Sequence, residues 1–347
     1  MGRARGPLTA RGVDAAPVLC CPDKFRGSLT ARQAAAALAR GVERAGRRAR
    51  ELPLADGGEG TLLALCPDPA TRRTAVVTGP TGALVEAAWG IRGDAAVVES
   101  AEAIGLALVA GDNDPLRTTT RGAGELMRVA LEAGAGQVIV GVGGSATVDG
   151  GLGALEALDF DLRGADVVVA CDVETRFVDA ARVFGPQKGA DDAGVALLEE
   201  RLDRLAARYR EELGVEVRDL PGAGAAGGLA GGLAALGARL RPGAGLVAGV
   251  LGLRDALGEA SLAITGEGRF DATSRAGKVV GHVLREANSI GVAVAIVAGD
   301  ADPTAFADLP RGVRCITLAS LGDTAEEPFR DADRLAAAAA ERLAADA

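Results

Sequence analysis

The chain of 347 residues has 38 basic residues, of which only Lys24, Lys188 and Lys278 are lysines. Arginine is evidently used wherever either cation would serve. A lysine carries a compact ammonium group on a flexible stem, which the planar guanidinium fork of arginine does not replace. Each lysine stands in a polar segment that contains a glycine. We therefore predict that the three lysines mark places where a small cation meets a charged ligand. The alternative is that the three lysines have no special role and remain by chance in a chain whose coding preference favours arginine.

Carboxylates follow several predicted strands in the same way. These acidic residues are Asp23, Asp56, Glu59, Asp149, Asp172, Glu267 and Asp271. Phosphoryl transfer needs cations and N–H groups for the moving phosphate, carboxylates for Mg²⁺ and one carboxylate that accepts a hydroxyl proton. The inventory of side chains therefore fits a phosphotransferase.

The segment 141–151, GVGGSATVDGG, contains five glycines and joins a predicted strand at 137–140 to a predicted helix at 152–158. The start of a helix offers unpaired N–H groups at the positive end of its dipole, and glycines let the backbone approach a ligand. Ser145, Thr147 and Asp149 add polar groups. The segment predicts a loop that binds phosphate or carboxylate, although a tight structural turn would have the same composition.

These residues are placed by alternating strands and helices. We expect strands at 17–20, 51–54, 165–171, 262–265, 292–297 and 313–318, and short strands at 74–78, 84–91 and 95–99. Thr30 and Gln33 form a capping box at a helix start, and Lys278 opens another helix. The segment 266–271 reads as a turn, and the glycines of 222–232 as either an anion nest or a close-packed helix start. The pattern predicts an α/β protein with ligands at the carboxyl edge of a parallel sheet.

Composition excludes several functions. A net charge of −9 argues against nucleic acid, and no apolar run is long enough for a membrane span. The five cysteines show no paired spacing, which favours free thiols in the cytoplasm. No G-x-x-x-x-G-K-[ST] motif occurs, no G-x-G-x-x-G follows the first strand, and a single histidine, His282, leaves no His/Cys metal site. Residues 1–16 read as a flexible tail.

Six segments together resemble the bacterial glycerate kinases related to the glycerate 2-kinases (type 1). The segments, in order, are CPDKFRGSLTA (21–31), PLADGGEGT (53–61), GVGGSATVDGG (141–151), VFGPQKGA (183–190), GAGAAGG (222–228) and ITGEGRFDATSRAGK (264–278). The resemblance implies ATP- and Mg²⁺-dependent phosphorylation of D-glycerate, mostly to 2-phosphoglycerate. It also implies two α/β domains with the active site in the cleft between them. One domain would be discontinuous, 17–66 plus 259–347, and the other, 67–258, would be inserted.

The resemblance also suggests roles for individual residues. Asp149 is the first choice for the general base, followed by Asp56 and Asp271, and one of the three helps to hold Mg²⁺, with Asp271 assigned to the metal. Lys24 and Arg269 would hold the carboxylate of glycerate or the transferring phosphate, and Lys278 would neutralise charge at the γ-phosphate with support from Lys188. The remaining predicted binding residues are Asp23, Gly57, Gly58, Glu59, Gly143, Gly144, Ser145, Ala146, Thr147, Gly266 and Glu267.

The chain departs from the family pattern after the helix predicted at 152–158. Residues 160–164 replace a longer connection, and the segment 174–182 is also short. There are therefore two main alternatives: a kinase of another small hydroxy acid and a catalytically impaired ligand-binding homologue. A dehydrogenase is the third-ranked alternative. The sequence leaves the oligomeric state open between a monomer and a homodimer.

Overall fold

The computed structural model describes residues 16–275, 277–306 and 309–346. The predicted tail lies outside these residues except for its last one, Ala16. The strands are β1 (Val18–Cys20), β2 (Ala49–Glu51), β3 (Arg72–Thr78), β4 (Leu84–Arg92), β5 (Ala95–Glu99), β6 (Gln137–Gly141), β7 (Asp166–Cys171), β8 (Arg239–Pro242), β9 (Leu262–Phe270), β10 (Val294–Ala301) and β11 (Arg314–Thr317).

The helices alternate with these strands along most of the chain. They are α1 (Ala31–Arg44), α2 (Thr61–Leu65), α3 (Ser100–Ile104), α4 (Arg121–Glu132), α5 (Leu152–Ala157), α6 (Ala180–Phe184), α7 (Asp192–Leu213), α8 (Leu229–Ala235), α9 (Gly243–Leu251), α10 (Leu253–Gly258), α11 (Ala272–Arg275), α12 (Val279–Ile290), α13 (Glu327–Arg330) and α14 (Ala332–Ala345). Within the described residues no helix is long and apolar enough to cross a membrane.

The first sheet is parallel and has the order β2-β1-β9-β10-β11. Counting only its own strands, this is the doubly wound order 2-1-3-4-5, in which the chain changes direction between the first and third strands. That switch point lies between β1 and β9. Loops leaving the two strands diverge there and open a crevice at their carboxyl ends. The predicted parallel α/β architecture is confirmed.

The second sheet has the order β3-β4-β5-β6-β7-β8. Its first three strands are antiparallel neighbours, and β5 to β8 are parallel. The three short strands predicted from the sequence at 74–78, 84–91 and 95–99 are confirmed as β3, β4 and β5. The predicted strand before the glycine loop is β6, which ends at Gly141.

Helices of small residues cover the first sheet. Thr30 caps α1, and its capping box with Gln33 is present as predicted. A Cβ on Gly41 of α1 would lie 2.1 Å from the carbonyl oxygen of Ala337 in α14. The backbones of α1 and α14 therefore touch, which explains why these two helices are built from alanine rather than from bulky residues. Leu38 and Leu335 belong to the core between them.

The sequence expectation differs from the structure at three strands. The strand β9 does not end at Thr265 but continues to Phe270, because β10 also runs beyond its expected end at Val297 and pairs with β9 as far as Ala301. A Cβ on Gly266 would lie 2.0 Å from the carbonyl oxygen of Val297, so this glycine serves the packing of a strand and not a turn. The strand expected at 51–54 lies earlier, at β2, since residues 52–54 already leave the sheet.

The helices α9 and α10 pack against the core of the first sheet, which contains Ala244, Leu257 and Leu19. The division into residues 17–66 with 259–347 and residues 67–258 stays a proposal. Because α9 also packs against the second sheet through Val247 and Ile139, these contacts favour moving the second boundary from residue 258 to the start of α10.

The shortened connection between α5 and β7 is a tight turn. Asp159, Phe160 and Arg163 have positive φ angles of 54°, 56° and 53°. Left-handed backbone costs residues other than glycine roughly 1–2 kcal/mol each. The turn therefore bridges α5 and β7 under local strain, at the point where the family pattern has more residues.

Candidate active site

Charged residues converge where the carboxyl ends of both sheets meet. Lys24, in the loop after β1, places its Nζ 3.5 Å from Oδ1 of Asp56 and donates a hydrogen bond of 2.9 Å to the carbonyl oxygen of Glu59. Both partners lie in the loop after β2. Burial disfavours the charge of Lys24, but Asp23 and Asp56 outweigh burial and raise the pKa of Lys24. Lys24 and Asp56, whose roles predicted from the sequence are separate, thus form an ion pair.

Two further carboxylates flank Asp56. Asp23 is buried, and its oxygen Oδ1 accepts a 2.7 Å hydrogen bond from the Lys24 amide. Burial and the charge of Asp56 raise the pKa of Asp23 to about 7. Asp172 follows β7, and its carboxylate accepts from the Ala244 amide at 3.2 and 3.3 Å. Burial and the charge of Asp56 also raise the pKa of Asp172 to about 7. Carboxylates from three different strand ends therefore repel one another in one cleft.

Glu267 and Lys278 lie on the other side of Asp23. Glu267 is buried in β9, and its oxygen Oε1 has no hydrogen-bond partner within the described part of the chain. Burial raises the pKa of Glu267 to about 7, against a hydrogen bond from Ser274 and the charge of Lys278. Lys278 is the N-cap of α12, as the sequence predicted. Because an unpaired buried carboxylate oxygen is costly, Glu267 is suited to a polar ligand.

The glycine loop after β6 brings Lys188 to the cleft. The Lys188 Nζ donates 2.9 Å to the hydroxyl of Ser145 and 2.8 Å to the carbonyl oxygen of Thr147. Burial lowers the pKa of Lys188 to about 7, against the charge of Asp149. Lys188 also lines a cavity of about 510 Å³ together with Gly143 and Ser145. An ammonium with one remaining hydrogen and the backbone of two glycines can receive an anion there.

Asp149 occupies a different position from the other carboxylates. Its oxygens accept hydrogen bonds from the amide and hydroxyl of Thr120 at 2.7 and 2.9 Å, and from the amides of Gly151 and Gly153 at 3.1 and 3.4 Å. Asp149 is fully committed to joining the starts of α4 and α5. Burial raises its pKa in spite of these bonds. This geometry favours a positioning role for Asp149 rather than the role of a base.

Several glycines allow the loops to touch. A Cβ on Gly143 would lie 2.7 Å from the Cα of Gly58, and one on Gly57 would lie 2.6 Å from the carbonyl oxygen of Ala170. A Cβ on Gly58 would be 3.1 Å from Oδ1 of Asp56 and 4.0 Å from Nζ of Lys24. Backbone contact between the two sheets' loops therefore depends on missing side chains, and it brings the glycine loop next to Asp56 and Lys24.

The second glycine-rich segment supports the first. The amide of Gly150 donates 3.1 Å to the carbonyl oxygen of Gly227, and a Cβ on Gly227 would lie 1.9 Å from the carbonyl oxygen of Thr147. Of the two interpretations of 222–232, the close-packed one describes these contacts. Ala225 and Ala226 reach the cavity beside Lys188.

Other predicted residues lie at the margin of this arrangement. Ala146 is buried, and its carbonyl oxygen accepts from Asn113 at 2.9 Å. Arg269 is exposed on β9, and its charge adds to the lowering of the pKa of Asp302, which a hydrogen bond from Thr304 mainly causes.

Asp271 caps the turn that leads into α11. Its oxygen Oδ1 accepts from the amide and the hydroxyl of Thr273 at 2.8 and 2.6 Å. The hydroxyl bond is the main cause of its lowered pKa. Asp271 is the residue assigned to the metal from the sequence, and half of its carboxylate is already engaged in this turn.

Two residues near the cleft were given no individual role from the sequence. Asp172 stood among the strand-end carboxylates, and its position directly after β7 is the signal that identifies it. Arg26 is exposed and has neither a hydrogen bond nor an ion pair with any residue that the structure describes. It lies two residues after Lys24, but only the shapes of the surrounding cavities distinguish it from other exposed arginines.

A doubly wound sheet with lysines and carboxylates at its switch point, contacted by the glycine loop of a second sheet, is typical of a phosphate-handling α/β enzyme. Comparison with known proteins specifies the family. The glycerate kinase family model matches residues 18–166 and 158–347, and the chain belongs to this family. The two matched segments meet at the shortened connection between α5 and β7.

Individual relatives cover nearly the whole chain. The glycerate 2-kinase of Escherichia coli (strain K12) is 39% identical over an alignment 357 positions long. The alignment covers 91% of this chain and 93% of the relative. The glycerate kinase of Bacillus subtilis (strain 168) is 38% identical and covers 95% and 96%. A crystal structure of a protein assigned as glycerate kinase 2 from Salmonella typhimurium LT2 superposes with a TM-score of 0.79 at 34% identity, covering 96% of this chain and 98% of its own.

Proposed function

We propose that this chain transfers the γ-phosphoryl group of ATP to the 2-hydroxyl of D-glycerate, giving 2-phosphoglycerate and ADP. Membership of the glycerate kinase family supports kinase activity with ATP. The observation that carries the proposal is the convergence of Lys24, Asp56 and Lys278 from the first sheet with Lys188 from the second. Lys24 contacts the carbonyl oxygen of Glu59, which lines the same cavity as Lys188. The charge of Lys278 acts on Asp23.

Glycerate is a small anion, so it needs a cation and N–H donors. We assign its carboxylate to Lys188 and to the backbone of Gly143 and Gly144. The Lys188 ammonium is held by Ser145 and Thr147, which leaves one hydrogen for the ligand. An anion bound at Lys188 would in turn favour its charged form and offset the effect of burial on its pKa.

Asp56 is the best-placed general base among the carboxylates. It lies beside Gly58, which touches Gly143 of the glycine loop, and it is paired with Lys24. In the reaction the hydroxyl oxygen of the substrate attacks the γ-phosphorus and its proton passes to Asp56. The bond from the γ-phosphorus to the oxygen that bridges to the β-phosphate breaks, and that oxygen leaves on ADP. Asp149 acts indirectly, by fixing the start of α5.

Lys278 is assigned to the negative charge that develops on the departing phosphate. It stands at the N-terminal end of α12, where the helix dipole also favours an anion. Its charge already acts on Asp23 and Glu267. A phosphate oxygen bound between Lys278 and a protonated Glu267 would satisfy the buried oxygen of Glu267 that has no partner.

The proposal also includes a Mg²⁺ ion and the residues that would hold it. Among the described residues no group of three or more acidic, histidine or cysteine side chains is arranged as a ready-made metal site. Mg²⁺ in kinases is usually held by one or two carboxylates together with substrate phosphates and water. Asp23 and Asp172 fit this pattern better than Asp271, since burial and repulsion by Asp56 raise their pKa values and a bound cation would offset both effects. Bound there, Mg²⁺ would supply charge neutralisation for the phosphates.

A second substrate deserves a test because the connection between α5 and β7 is short. That connection supports the helix that follows the glycine loop, so its shape bears on the acceptor site. A kinase of another small hydroxy acid is therefore the alternative. The free cysteines, four of them buried, are in keeping with the proposed cytoplasmic location.

The test is to identify the product formed from ATP, Mg²⁺ and D-glycerate by ³¹P and ¹³C NMR. We expect 2-phosphoglycerate and stoichiometric ADP, and a loss of at least about 10²-fold in kcat for Asp56→Asn. Tartronate, L-glycerate and glycolate serve as competing acceptors. Turnover of one of these without turnover of D-glycerate would replace the proposed substrate, and formation of 3-phosphoglycerate would correct the position.

A further inference from the structure

Two cavities of nearly equal size are each lined in part by the loop that follows β1. One, of about 520 Å³, exposes mostly apolar surface, from residues that include Leu29, Leu54 and Leu63, and is called the apolar cavity. Charged residues, among them Lys24, Arg32 and Arg72, also line it. The other, of about 510 Å³, is lined by the glycine loop with Ser145, Gln187 and Lys188, and is called the polar cavity. Both volumes fall in the range of small-molecule sites.

The two cavities share two lining residues, Arg26 and Glu59. Arg26 also lines a third cavity of about 370 Å³ beside Phe329. A kinase must hold a nucleotide and an acceptor in adjoining spaces, and the phosphoryl group crosses from one to the other. The seam formed by Arg26 and Glu59 is where two such spaces adjoin in this chain.

The backbone of Arg26 is fixed although its side chain is free. Phe25 is buried, its amide donates 2.8 Å to the carbonyl oxygen of Leu29, and the Leu29 amide donates 3.0 Å back. A Cβ on Gly268 would lie 2.8 Å from the backbone nitrogen of Arg26, so β9 packs directly against this loop. The guanidinium has no partner among the residues that the structure describes. It is therefore mounted on a rigid loop and is available to a ligand at the seam.

We infer that the apolar cavity receives the nucleoside of ATP, the polar cavity receives the hydroxy acid, and Arg26 binds the phosphoryl group in transit between them. The inference rests on the proposed kinase function and adds the two subsites and a catalytic residue to it. Apolar side chains suit a purine base, whereas Lys188 and glycine amides suit a carboxylate. A guanidinium is always charged and can bind two phosphate oxygens at once.

The role of Arg26 follows from the change in charge during transfer. As the hydroxyl oxygen bonds to the γ-phosphorus and the bond to the bridging oxygen breaks, negative charge spreads over the three equatorial oxygens. A cation placed at the seam lies closer to the phosphoryl group in the transition state than in the bound substrates or the bound products. Arg26 should therefore contribute to kcat more than to the KM of either substrate.

The first experiment compares Arg26→Ala and Arg26→Lys with Arg44→Ala, an exposed arginine at the far end of α1. We expect kcat to fall on the order of 10²–10³-fold in Arg26→Ala, to recover in part in Arg26→Lys, and to remain at the wild-type level in Arg44→Ala. Guanidinium ion added to Arg26→Ala should raise its rate in a saturable manner. A kcat for Arg26→Ala within about threefold of wild type, or no rescue by guanidinium, would overturn the role of Arg26.

The second experiment separates the subsites with two half-exposed leucines, Leu63 at 45% and Leu106 at 38% exposure. Leu63 lines the apolar cavity and Leu106 the polar one. We expect Leu63→Trp to weaken binding of a fluorescent ADP analogue about tenfold and Leu106→Trp to leave it unchanged. For the hydroxy acid, Leu106→Trp should raise the KM, and Leu63→Trp should leave the KM unchanged. The reverse pattern, or equal affinities for ADP in variants with normal melting temperatures, would refute the assignment.

The binding measurement also distinguishes the two proposals. If wild-type protein does not phosphorylate D-glycerate but ADP affinity follows the expected pattern, the proposed substrate fails and the subsites stand. If D-glycerate is phosphorylated and ADP affinity is insensitive to Leu63→Trp, the proposed function stands and the subsites fail.

Discussion

At the scale of single residues, this cleft holds groups whose charge is disfavoured by burial. The pKa values of Asp23, Asp172 and Glu267 are raised to about 7, and that of Lys188 is lowered to about 7. These groups exchange protons near neutral pH, which suits a site that must move a proton and accommodate multiply charged phosphates. The same groups reduce the stability of the free protein.

Asp172 offers a measurable consequence. Its folded-state pKa lies above the value of about 4 in an unfolded chain, so the folded protein binds the extra proton between about pH 4 and 7. The free energy of unfolding therefore falls as the pH rises through this window. Asparagine carries no charge and avoids the penalty. We expect Asp172→Asn to raise the melting temperature by about 2–4 °C at pH 8 and by less at pH 5, while lowering activity.

The matched control is Asp166→Asn on the protein surface. The pKa of Asp166 is lowered, mainly by a hydrogen bond from Arg239. Its ionised form thus favours the folded state, and the substitution should lower the melting temperature slightly at pH 8. Calorimetry at both pH values measures the two differences. Equal shifts for Asp172→Asn at pH 5 and pH 8 would contradict the pKa assignment.

At the scale of elements, the site depends on loops that approach one another through glycine. The loop after β2 meets the loop after β6 at Gly58 and Gly143, where an added Cβ would lie 2.7 Å from a backbone carbon. Backbone atoms cannot move aside as a flexible side chain can. The distance between Asp56 and the glycine loop is therefore set by the absence of one methyl group.

Gly143→Ala tests this contact. We expect kcat/KM to fall about 10- to 100-fold, because a displacement of about 1 Å between reacting groups is costly in rate. Gly249→Ala in α9 is the control, since a Cβ there meets nothing within 4 Å and alanine favours a helix. Its kcat/KM should stay at the wild-type value. Steady-state kinetics with melting curves for both variants distinguish a displaced loop from general destabilisation.

At the scale of the whole molecule, the cleft is assembled from two sheets that each contribute part of the site. The first sheet supplies Lys24, Asp56 and Lys278, and the second supplies Asp172 and Lys188. The described residues contain no ready-made metal site. A divalent cation should consequently bind together with the nucleotide, with phosphate oxygens completing its coordination.

Metal removal provides the corresponding test. We expect EDTA to leave the melting temperature of the ligand-free protein unchanged, to abolish activity, and to remove most of the stabilisation that ATP provides. Stabilisation by a ligand grows with its concentration relative to its Kd, so the effect of Mg²⁺ should appear only with nucleotide present. A fall of several degrees with EDTA alone would indicate a structural metal instead.

The sequence was sufficient for those features that depend on local pattern. The capping box of Thr30 and Gln33 follows from side chains that satisfy nearby amides. The helix start at Lys278 has no side-chain cap, and only the apolar spacing of the residues after it predicted the helix. The order of six segments indicated the family, and the family match confirms it. The selection of Lys24 and Lys188 rested on the rarity of lysine, and both lie at the cleft.

Only the tertiary structure distinguished between chemically similar residues. Asp149 and Asp56 both follow strands in glycine-rich segments, but amides from α4 and α5 saturate Asp149, while Asp56 forms an ion pair with Lys24 at the cleft. Arg26 resembles any exposed arginine until the cavities around it are known. Local sequence determines which groups the chain carries and which elements they begin or end. Their burial, their partners and the spaces they face depend on long-range packing, which no sequence window contains.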